Sequence, residues 1–269
     1  MAIIKASLYP FHVDLLVAFR EDPAGLNMAN HIASDMKGFG SEFFGPLYDL
    51  LIIDTPSISA DWLAEKKGYD ACVFLSKHAA ESGRLALTCH STGNFDKALY
   101  GGNERQVAVP YYGFQKKYMQ ILWNKRDQFN KFHITVEATH HGPTALEIPS
   151  IFVEVGTTSL QWNDQHLCAR VADVVREAYN THHVAPYAIC FGGTHYPEKF
   201  TKMLLEGEYA LGTMVPKHAL EHIDEEMFLH ILERNPGVKV ALVDSAGLGK
   251  FKAGIVSMIE KFGLEAIWL

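Results

Sequence analysis

Histidine is unusually frequent in this sequence, and several histidines stand where short apolar runs end. The chain of 269 residues has 14 histidines, among them His78, His90, His195 and the pair His140 and His141. Imidazole transfers protons near neutral pH, and in its neutral form it binds metal ions. Ligands of open α/β sheets bind beyond the carboxyl ends of the strands. These strand-terminal histidines therefore predict one crevice with catalytic or metal-binding chemistry.

The sharpest motif is EATHHGPT at residues 137–144. Strand alternation puts Glu137 and His140 on opposite faces, and the following Gly-Pro step ends the strand, so that His140 and His141 diverge. One turn would then hold a carboxylate and two imidazoles. Such a set could bind a metal ion, or hold a water molecule beside a general base. The alternative is a structural histidine pair that caps a buried strand.

The second motif is GGTHY at residues 192–196. Gly192 and Gly193 allow the backbone to approach a ligand closely, and His195 and Tyr196 can donate protons there. The alternative is a tight turn from a strand to a helix.

Strands and helices alternate along the chain, with Asp22 placed to cap the first helix. Many strands are continuous apolar runs, which is typical of a sheet covered on both faces. We therefore predict a three-layer α/β/α sandwich with a mixed sheet, as a single domain over residues 1–269. The predicted strands are residues 12–19, 48–54, 70–78, 84–90, 133–141, 150–156, 187–193, 211–216, 239–247 and 264–269. The predicted helices are residues 22–36, 60–68, 114–130, 164–179, 197–207, 224–235 and 250–262.

The composition indicates a globular protein: 48% of residues are hydrophobic, 20% are charged, and the net charge is −7. Disorder, collagen and coiled coil are excluded. The sequence has no apolar run near the roughly 18 residues of a membrane span, and it opens without signal-peptide features. Its four cysteines form no C-x-x-C pair. We therefore expect a cytoplasmic protein that binds neither DNA nor a membrane, and whose contacts with any nucleic acid are local. A monomer is expected as well, although no sequence feature indicates the oligomeric state.

Two basic segments could supply such contacts. Basic and aromatic residues interleave over residues 114–132, a pattern suited to phosphates and bases, although an ordinary amphipathic helix fits equally well. Glycines and Lys250 precede the last helix as a possible anion site, without the spacing of a nucleotide-binding P-loop. The predicted phosphate contacts are Lys116, Lys117, Lys125, Arg126 and Lys250.

A third motif offers a competing interpretation. His218, Glu221 and His222 spell H-x-x-E-H, which on a helix would suit a zinc peptidase or amidohydrolase. A non-catalytic nucleic-acid or nucleoside-binding protein is the remaining alternative. The pair His182 and His183, after a long helix, is interpreted as structural because imidazolium is favourable at a helix C-terminus.

Three sequence blocks together resemble a known family. LTCHSTGN with a downstream YGG, VEATHHGPT followed by FVEVGTTSLQW, and FGGTHYPEKFT are similar to the archaeal and plant type of D-aminoacyl-tRNA deacylase. The resemblance runs from about residue 76 to residue 254. It implies hydrolysis of the ester between a D-amino acid and the 3′ end of tRNA, a proofreading role in D-amino acid metabolism. It also implies zinc and an α/β fold similar to phosphorylases and peptidyl-tRNA hydrolases.

The resemblance covers the positions His78, His90, Glu137, His140, His141 and His195 without assigning a role to each, and the roles below are expected from residue type and motif. The acceptor end of tRNA carrying a D-amino acid is the expected partner. A bound zinc ion would acidify the attacking water, whereas without a metal Glu137 or a histidine would act as the base. The expected catalytic residues are Glu137, His140, His141 and His195. The candidate metal ligands are His90, His140, His141 and His195. The expected substrate-binding residues are His78, Asn94, Thr144, Gly192, Gly193 and Tyr196.

Overall fold

A computed structural model describes residues 13–180 and 185–269, which form two main sheets with helices packed against them. The strands are β1 (Asp14–Phe19), β2 (Lys37–Phe39), β3 (Glu42–Phe44), β4 (Tyr48–Ile53), β5 (Cys72–Ala79), β6 (Ala86–His90), β7 (Gly93–Asn94), β8 (Gln106–Val107), β9 (His133–Val136), β10 (Ser150–Thr157), β11 (Tyr187–Phe191), β12 (Ala210–Val215), β13 (Val240–Val243) and β14 (Glu265–Trp268). The helices are α1 (Pro23–Ala33), α2 (Tyr112–Asn124), α3 (Ser159–Trp162), α4 (Gln165–Tyr179), α5 (Glu198–Glu206), α6 (Glu225–Arg234), α7 (Ser245–Leu248) and α8 (Lys252–Lys261). The predicted pair His182 and His183 lies outside the described residues.

The larger sheet has eight strands in the order β2-β3-β4-β1-β5-β10-β6-β9. Strands β4, β1, β5 and β10 run parallel, and β6 turns antiparallel to β10 before β9 pairs parallel with it. The smaller sheet has four parallel strands in the order β12-β11-β13-β14. The predicted α/β fold with a large mixed sheet is confirmed, while the division of the strands between two sheets was not anticipated.

Helices α1, α2 and α4 cover one face of the larger sheet, and their buried residues share a core with strands of both sheets. The opposite face packs against a 3-10 helix at Ser57–Glu65 and against Leu146. Helices α6 and α8 cover one face of the smaller sheet. On its other face the smaller sheet contributes to the core shared with the larger one, which also contains residues of α2 and α5. The two sheets therefore share one hydrophobic core.

Local signals in the sequence fix several element ends. Asp22 caps α1 as predicted, because its side chain accepts a hydrogen bond from the Gly25 amide at 2.9 Å. The predicted helix over residues 114–130 is shorter, since α2 ends at Asn124 and a 3-10 turn follows at Arg126–Phe129. The predicted strand over residues 133–141 also ends early, at Val136.

The segment after β9 joins the two sheets. The Ala138 amide donates to the carbonyl oxygen of His195 at 2.9 Å. The Thr139 amide donates to the carbonyl oxygen of Met214 at 3.0 Å, and the Met214 amide donates to Thr139 Oγ1 at 3.0 Å. The histidine-rich turn therefore leaves the larger sheet and is hydrogen-bonded to β12 and to the loop after β11. Within the described ranges, no helix is long and apolar enough to cross a membrane.

Candidate active site

Three functional side chains come from the middle of the larger sheet. Glu154 of β10 lies opposite Ser76 of β5 and opposite Thr88 of β6. Since side chains alternate along a strand, His78 and His90, each two residues further along, share the face of Glu154. Glu154 is buried, and sequence reasoning missed it. The available signal was a single acidic residue inside the otherwise apolar run SIFVEVG.

His78 lies between two buried carboxylates. Its Nδ1 atom is 3.1 Å from Glu137 Oε1 and 3.1 Å from Glu154 Oε2. Burial by itself lowers the pKa of an imidazole, but here the hydrogen bonds with the two carboxylates outweigh it and raise the pKa of His78 to about 10. His78 is therefore an imidazolium at neutral pH.

Tyr196 receives the second proton of this imidazolium. The His78 Nε2 atom lies 3.0 Å from the Tyr196 hydroxyl oxygen, and a protonated ring can only donate there. Burial raises the pKa of Tyr196 to about 12, so the phenol keeps its own proton. The Tyr196 hydroxyl thus accepts from His78 and can donate its proton to a ligand.

Glu137 also holds His195. The Nε2 atom of His195 lies 2.7 Å from Glu137 Oε2, and the His195 side chain is 40% exposed while Glu137 is 1% exposed. Burial would raise the pKa of Glu137, yet the hydrogen bonds with His195 and His78 hold it well below the usual range. With Nε2–H donated to this carboxylate, the Nδ1 atom of a neutral His195 carries the free lone pair.

His90, His140 and His141 form a cluster of imidazoles, the histidine triad. Their ring centroids are 4.1 to 4.8 Å apart, and one ring nitrogen from each lies within 4.8 Å of the others. Each Nδ1 donates to a backbone carbonyl oxygen, at 3.1, 2.7 and 2.6 Å respectively. These bonds leave the Nε2 atom of each ring as the atom that can bind a ligand, although burial is outweighed by the Glu154 carboxylate, which raises the pKa of His90.

The histidine triad fits a zinc ion. Burial lowers the pKa of His140 well below its usual range and that of His141 to about 4, which keeps both rings neutral. Nε2 of His90 is buried without a hydrogen bond among the described residues and lies 3.6 Å from Glu154 Oε1, a position that favours a proton or a metal ion. Imidazoles oriented through their second nitrogen are the usual zinc ligands. His195, also a candidate ligand, instead pairs through Nε2 with Glu137.

Asn94 and Thr144, which were predicted to bind substrate, form hydrogen bonds within the protein. Both are buried, and Asn94 Nδ2 donates to the carbonyl oxygens of Gly101 and Asn103 at 2.8 and 3.1 Å. Thr144 Oγ1 accepts from the Asn103 amide at 2.8 Å and donates to Gln106 Oε1 at 2.8 Å. Their polar atoms therefore hold the loop between β7 and β8, and their predicted contact with substrate stays a prediction.

The glycine pair has a packing role as well as an open side. Gly192 and Gly193 have positive φ values of 96° and 79°. A Cβ atom at Gly192 would lie 2.8 Å from the Asp244 carbonyl oxygen, which explains the need for glycine there. Gly193 and Tyr196 line a cavity of about 330 Å³ beside the site. The GGTHY segment therefore forms a tight strand-to-helix turn, and it also borders this cavity.

Lys116 does not belong in the predicted phosphate-binding set, because it is buried. Its side chain is 2% exposed, and Nζ donates to the carbonyl oxygens of Leu204, Gly207 and Tyr209 at 3.3, 2.8 and 2.9 Å. The ammonium therefore satisfies the end of α5 and the loop after it and is not available to tRNA. The basic pattern on α2 gave no sign of this, because the partner carbonyls are about ninety residues away.

Lys116→Met is expected to lower the free energy of unfolding by about 2–3 kcal/mol, because three carbonyl groups, all buried or half-buried, lose a charged donor. Urea denaturation measures the loss. Lys117→Met, at the half-buried neighbouring position, is the matched control and should change the stability by less than about 0.5 kcal/mol. Equal stability of the two variants would contradict the buried role.

The other predicted phosphate contacts lie nearer the surface. Arg126 is exposed, with its guanidinium over the Trp123 ring. Lys250 is exposed in the 3-10 turn just before α8, whereas Lys125 forms an ion pair with Glu177. Lys117 is half-buried.

The H-x-x-E-H interpretation is wrong. That motif needs both histidines on one α-helix, but only a three-residue 3-10 helix forms at Leu220–His222, and His218 precedes it. Glu221 is 60% exposed and is 3.8 Å from His222. A zinc peptidase site is therefore not built from these residues.

Comparison with known proteins identifies the family of the chain. The family model described as D-aminoacyl-tRNA deacylase matches residues 65–267. A D-aminoacyl-tRNA deacylase of Cenarchaeum symbiosum is 59% identical over 95% of this chain and 99% of its own length. One of Korarchaeum cryptofilum is 32% identical over 92% of this chain and 90% of its own length. A crystal structure of a conserved protein of unknown function has a TM-score of 0.88 and 25% identity, covering 96% of this chain and 95% of that one. The resemblance read from the three sequence blocks is thus confirmed, and the chain belongs to the family of D-aminoacyl-tRNA deacylases.

Proposed function

We propose that this protein hydrolyses the ester between a D-amino acid and the 3′-terminal ribose of tRNA, releasing both. The family supports the substrate class. The observation that carries the chemistry is the buried Glu137 carboxylate, which contacts His195 on one oxygen and His78 on the other. This one residue connects a potential base with a potential hydrogen-bond donor.

His195 is the general base of this proposal. Its Nδ1 takes a proton from a water molecule as the water oxygen attacks the ester carbonyl carbon. Glu137 fixes the ring tautomer and stabilises the imidazolium that forms. When the tetrahedral intermediate collapses, the carbon–oxygen bond to the ribose breaks, and the same Nδ1 returns the proton to the ribose oxygen.

Tyr196 stabilises the developing negative charge. Because its oxygen already accepts from His78, its own proton can point to the carbonyl oxygen. A donor that is aligned before reaction stabilises an oxyanion more effectively than water does. His78 acts through Tyr196 and is a positioning residue.

The histidine triad is the proposed zinc site, with His90, His140 and His141 as ligands. A bound zinc ion would supply Lewis-acid polarisation of the ester or of the attacking water. The backbone carbonyls that hold each Nδ1 keep the rings oriented for this role.

Zinc binding gives a prediction independent of activity. Metal-free protein is expected to bind zinc in isothermal titration, and His141→Ala should weaken that binding by more than about tenfold. His218→Ala is the matched control and should leave zinc binding unchanged. Equal zinc affinity of wild type and His141→Ala would contradict the triad as the site.

The proposal also includes the cellular compartment and the surface residues that contact tRNA. Arg126, Lys117 and Lys250 are the basic residues proposed to contact tRNA phosphates, with Lys125 weakened in that role by Glu177. The protein is proposed to act as a cytoplasmic monomer.

The function is tested by release of free amino acid from matched D- and L-aminoacyl-tRNA, before and after chelation and zinc re-addition. Selective release from the D-ester supports the proposal. Loss on chelation with recovery on zinc addition supports a metal-dependent step. Release from neither ester would contradict the proposed function.

A further inference from the structure

Two large apolar side chains stand exposed on the loop between β7 and β8. Leu99 is 75% exposed and Tyr100 is 69% exposed. Single exposed apolar residues are common on protein surfaces. These two are adjacent in the chain, and their loop belongs to the neighbourhood of the histidine triad.

The backbone of this loop is held firmly while its side chains face outward. The carbonyl oxygen of Gly101 accepts from buried Asn94, and the Asn103 amide donates to buried Thr144. A Cβ atom at Gly101 would lie 1.9 Å from the carbonyl oxygen of Ile58, so the chain passes there with no room for a side chain. The exposed ring of Tyr100 is therefore presented from an ordered backbone, which lowers the entropy cost of binding to it.

The loop is tied directly to the histidine triad. The amide of Gly142, the residue after His141, donates to the carbonyl oxygen of Tyr100 at 3.0 Å. Lys97, three residues before Tyr100, is exposed and adds a positive charge to the same loop. The backbone of Tyr100 is therefore hydrogen-bonded to the turn that carries His140 and His141, and its ring is exposed on the same loop as Lys97.

We propose that Tyr100 stacks on the adenine base of the 3′-terminal nucleotide of tRNA. This inference rests on the proposed function, because the scissile ester is attached to the ribose of that nucleotide. The acceptor end is single-stranded, and unpaired bases are bound by stacking on aromatic side chains. Lys97, exposed on the same loop, is proposed to contact a neighbouring phosphate.

Steady-state hydrolysis of D-aminoacyl-tRNA gives the first readout. Tyr100→Ala is expected to raise KM by about tenfold or more with little change in kcat, since stacking binds ground state and transition state alike. Tyr100→Phe keeps the ring and should retain the KM of the wild type. Leu160→Ala, at an apolar position 78% exposed, is the surface control and should also retain it.

Binding of uncharged tRNA gives a second readout that needs no hydrolysis. Removing the terminal adenosine from tRNA is expected to weaken binding about tenfold to wild type and Tyr100→Phe, and to have little effect on Tyr100→Ala. An unchanged effect of the terminal adenosine in Tyr100→Ala would overturn the stacking proposal. So would a wild-type dimer that Tyr100→Ala converts to monomer at unchanged KM, which would assign the ring to a second copy of the chain.

The two proposals fail in different ways. If the proposed function is wrong, wild type, Tyr100→Phe and Leu160→Ala all release no D-amino acid, whatever the tRNA binding shows. If only the stacking is wrong, hydrolysis proceeds and Tyr100→Ala behaves as wild type in both measurements.

Discussion

Replacing Glu137 by glutamine is expected to lower kcat for D-aminoacyl-tRNA hydrolysis by about a thousandfold. The carboxylate holds two histidines through opposite oxygens, His195 at 2.7 Å and His78 at 3.1 Å. An amide is neutral and offers only one acceptor oxygen. It therefore cannot stabilise the imidazolium that forms on His195 and also balance the positive charge of His78.

Single-turnover release of D-amino acid from saturating enzyme measures this loss directly. Glu221→Gln is the matched control, because Glu221 is exposed and belongs to the rejected H-x-x-E-H motif. It should leave the rate unchanged. A Glu137→Gln variant that folds, shown by an unchanged unfolding transition, and keeps more than about a tenth of the wild-type rate would remove Glu137 from the mechanism.

Tyr196→Phe is expected to lower kcat by about a hundredfold while KM changes little. The ring and its packing remain, and only the hydroxyl that accepts from His78 at 3.0 Å is lost. A donor used mainly in the transition state affects kcat, whereas a residue that merely binds substrate affects KM.

The control for the loss of a phenol hydroxyl is Tyr209→Phe, because the side chain of Tyr209 lies outside the site and only its backbone carbonyl contacts Lys116. Its kinetics should match wild type. If Tyr196→Phe raises KM and keeps kcat, Tyr196 is a binding residue, and the oxyanion role assigned to it is wrong.

Short-range patterns predicted much of the fold and of the site. Apolar runs and helix caps located most strands and helices, and the histidines at strand ends do converge. The reason differs from the predicted one, because β5 and β6 run in opposite directions and His78 and His90 approach Glu154 from its two sides along the sheet. His78, Glu137 and His195 were therefore found from motifs. What these motifs could not show was their pairing, because Glu137 contacts His78 and His195 across 59 and 58 residues of sequence.

The errors and omissions share one physical cause. The burial of Lys116, and the internal hydrogen bonds of Asn94 and Thr144, depend on contacts between distant segments. From residue type alone, Lys116 was predicted to contact tRNA phosphate, and Asn94 and Thr144 were predicted to bind substrate. Glu154 was missed for the same reason, since a charge inside a buried strand is explained only once His78 and His90 are known to face it.

The hydrogen bonds from Ala138 and Thr139 to the far sheet have a consequence for how this enzyme could have arisen and how it could be rebuilt. The proposed base, His195, and the proposed oxyanion donor, Tyr196, follow β11. Glu137 and the histidine triad lie at or just after the ends of strands in the larger sheet. Neither half of the chain can carry the reaction alone. Grafting the proposed catalytic centre onto another scaffold would therefore require transferring the hydrogen-bonded junction of the two sheets together with the side chains.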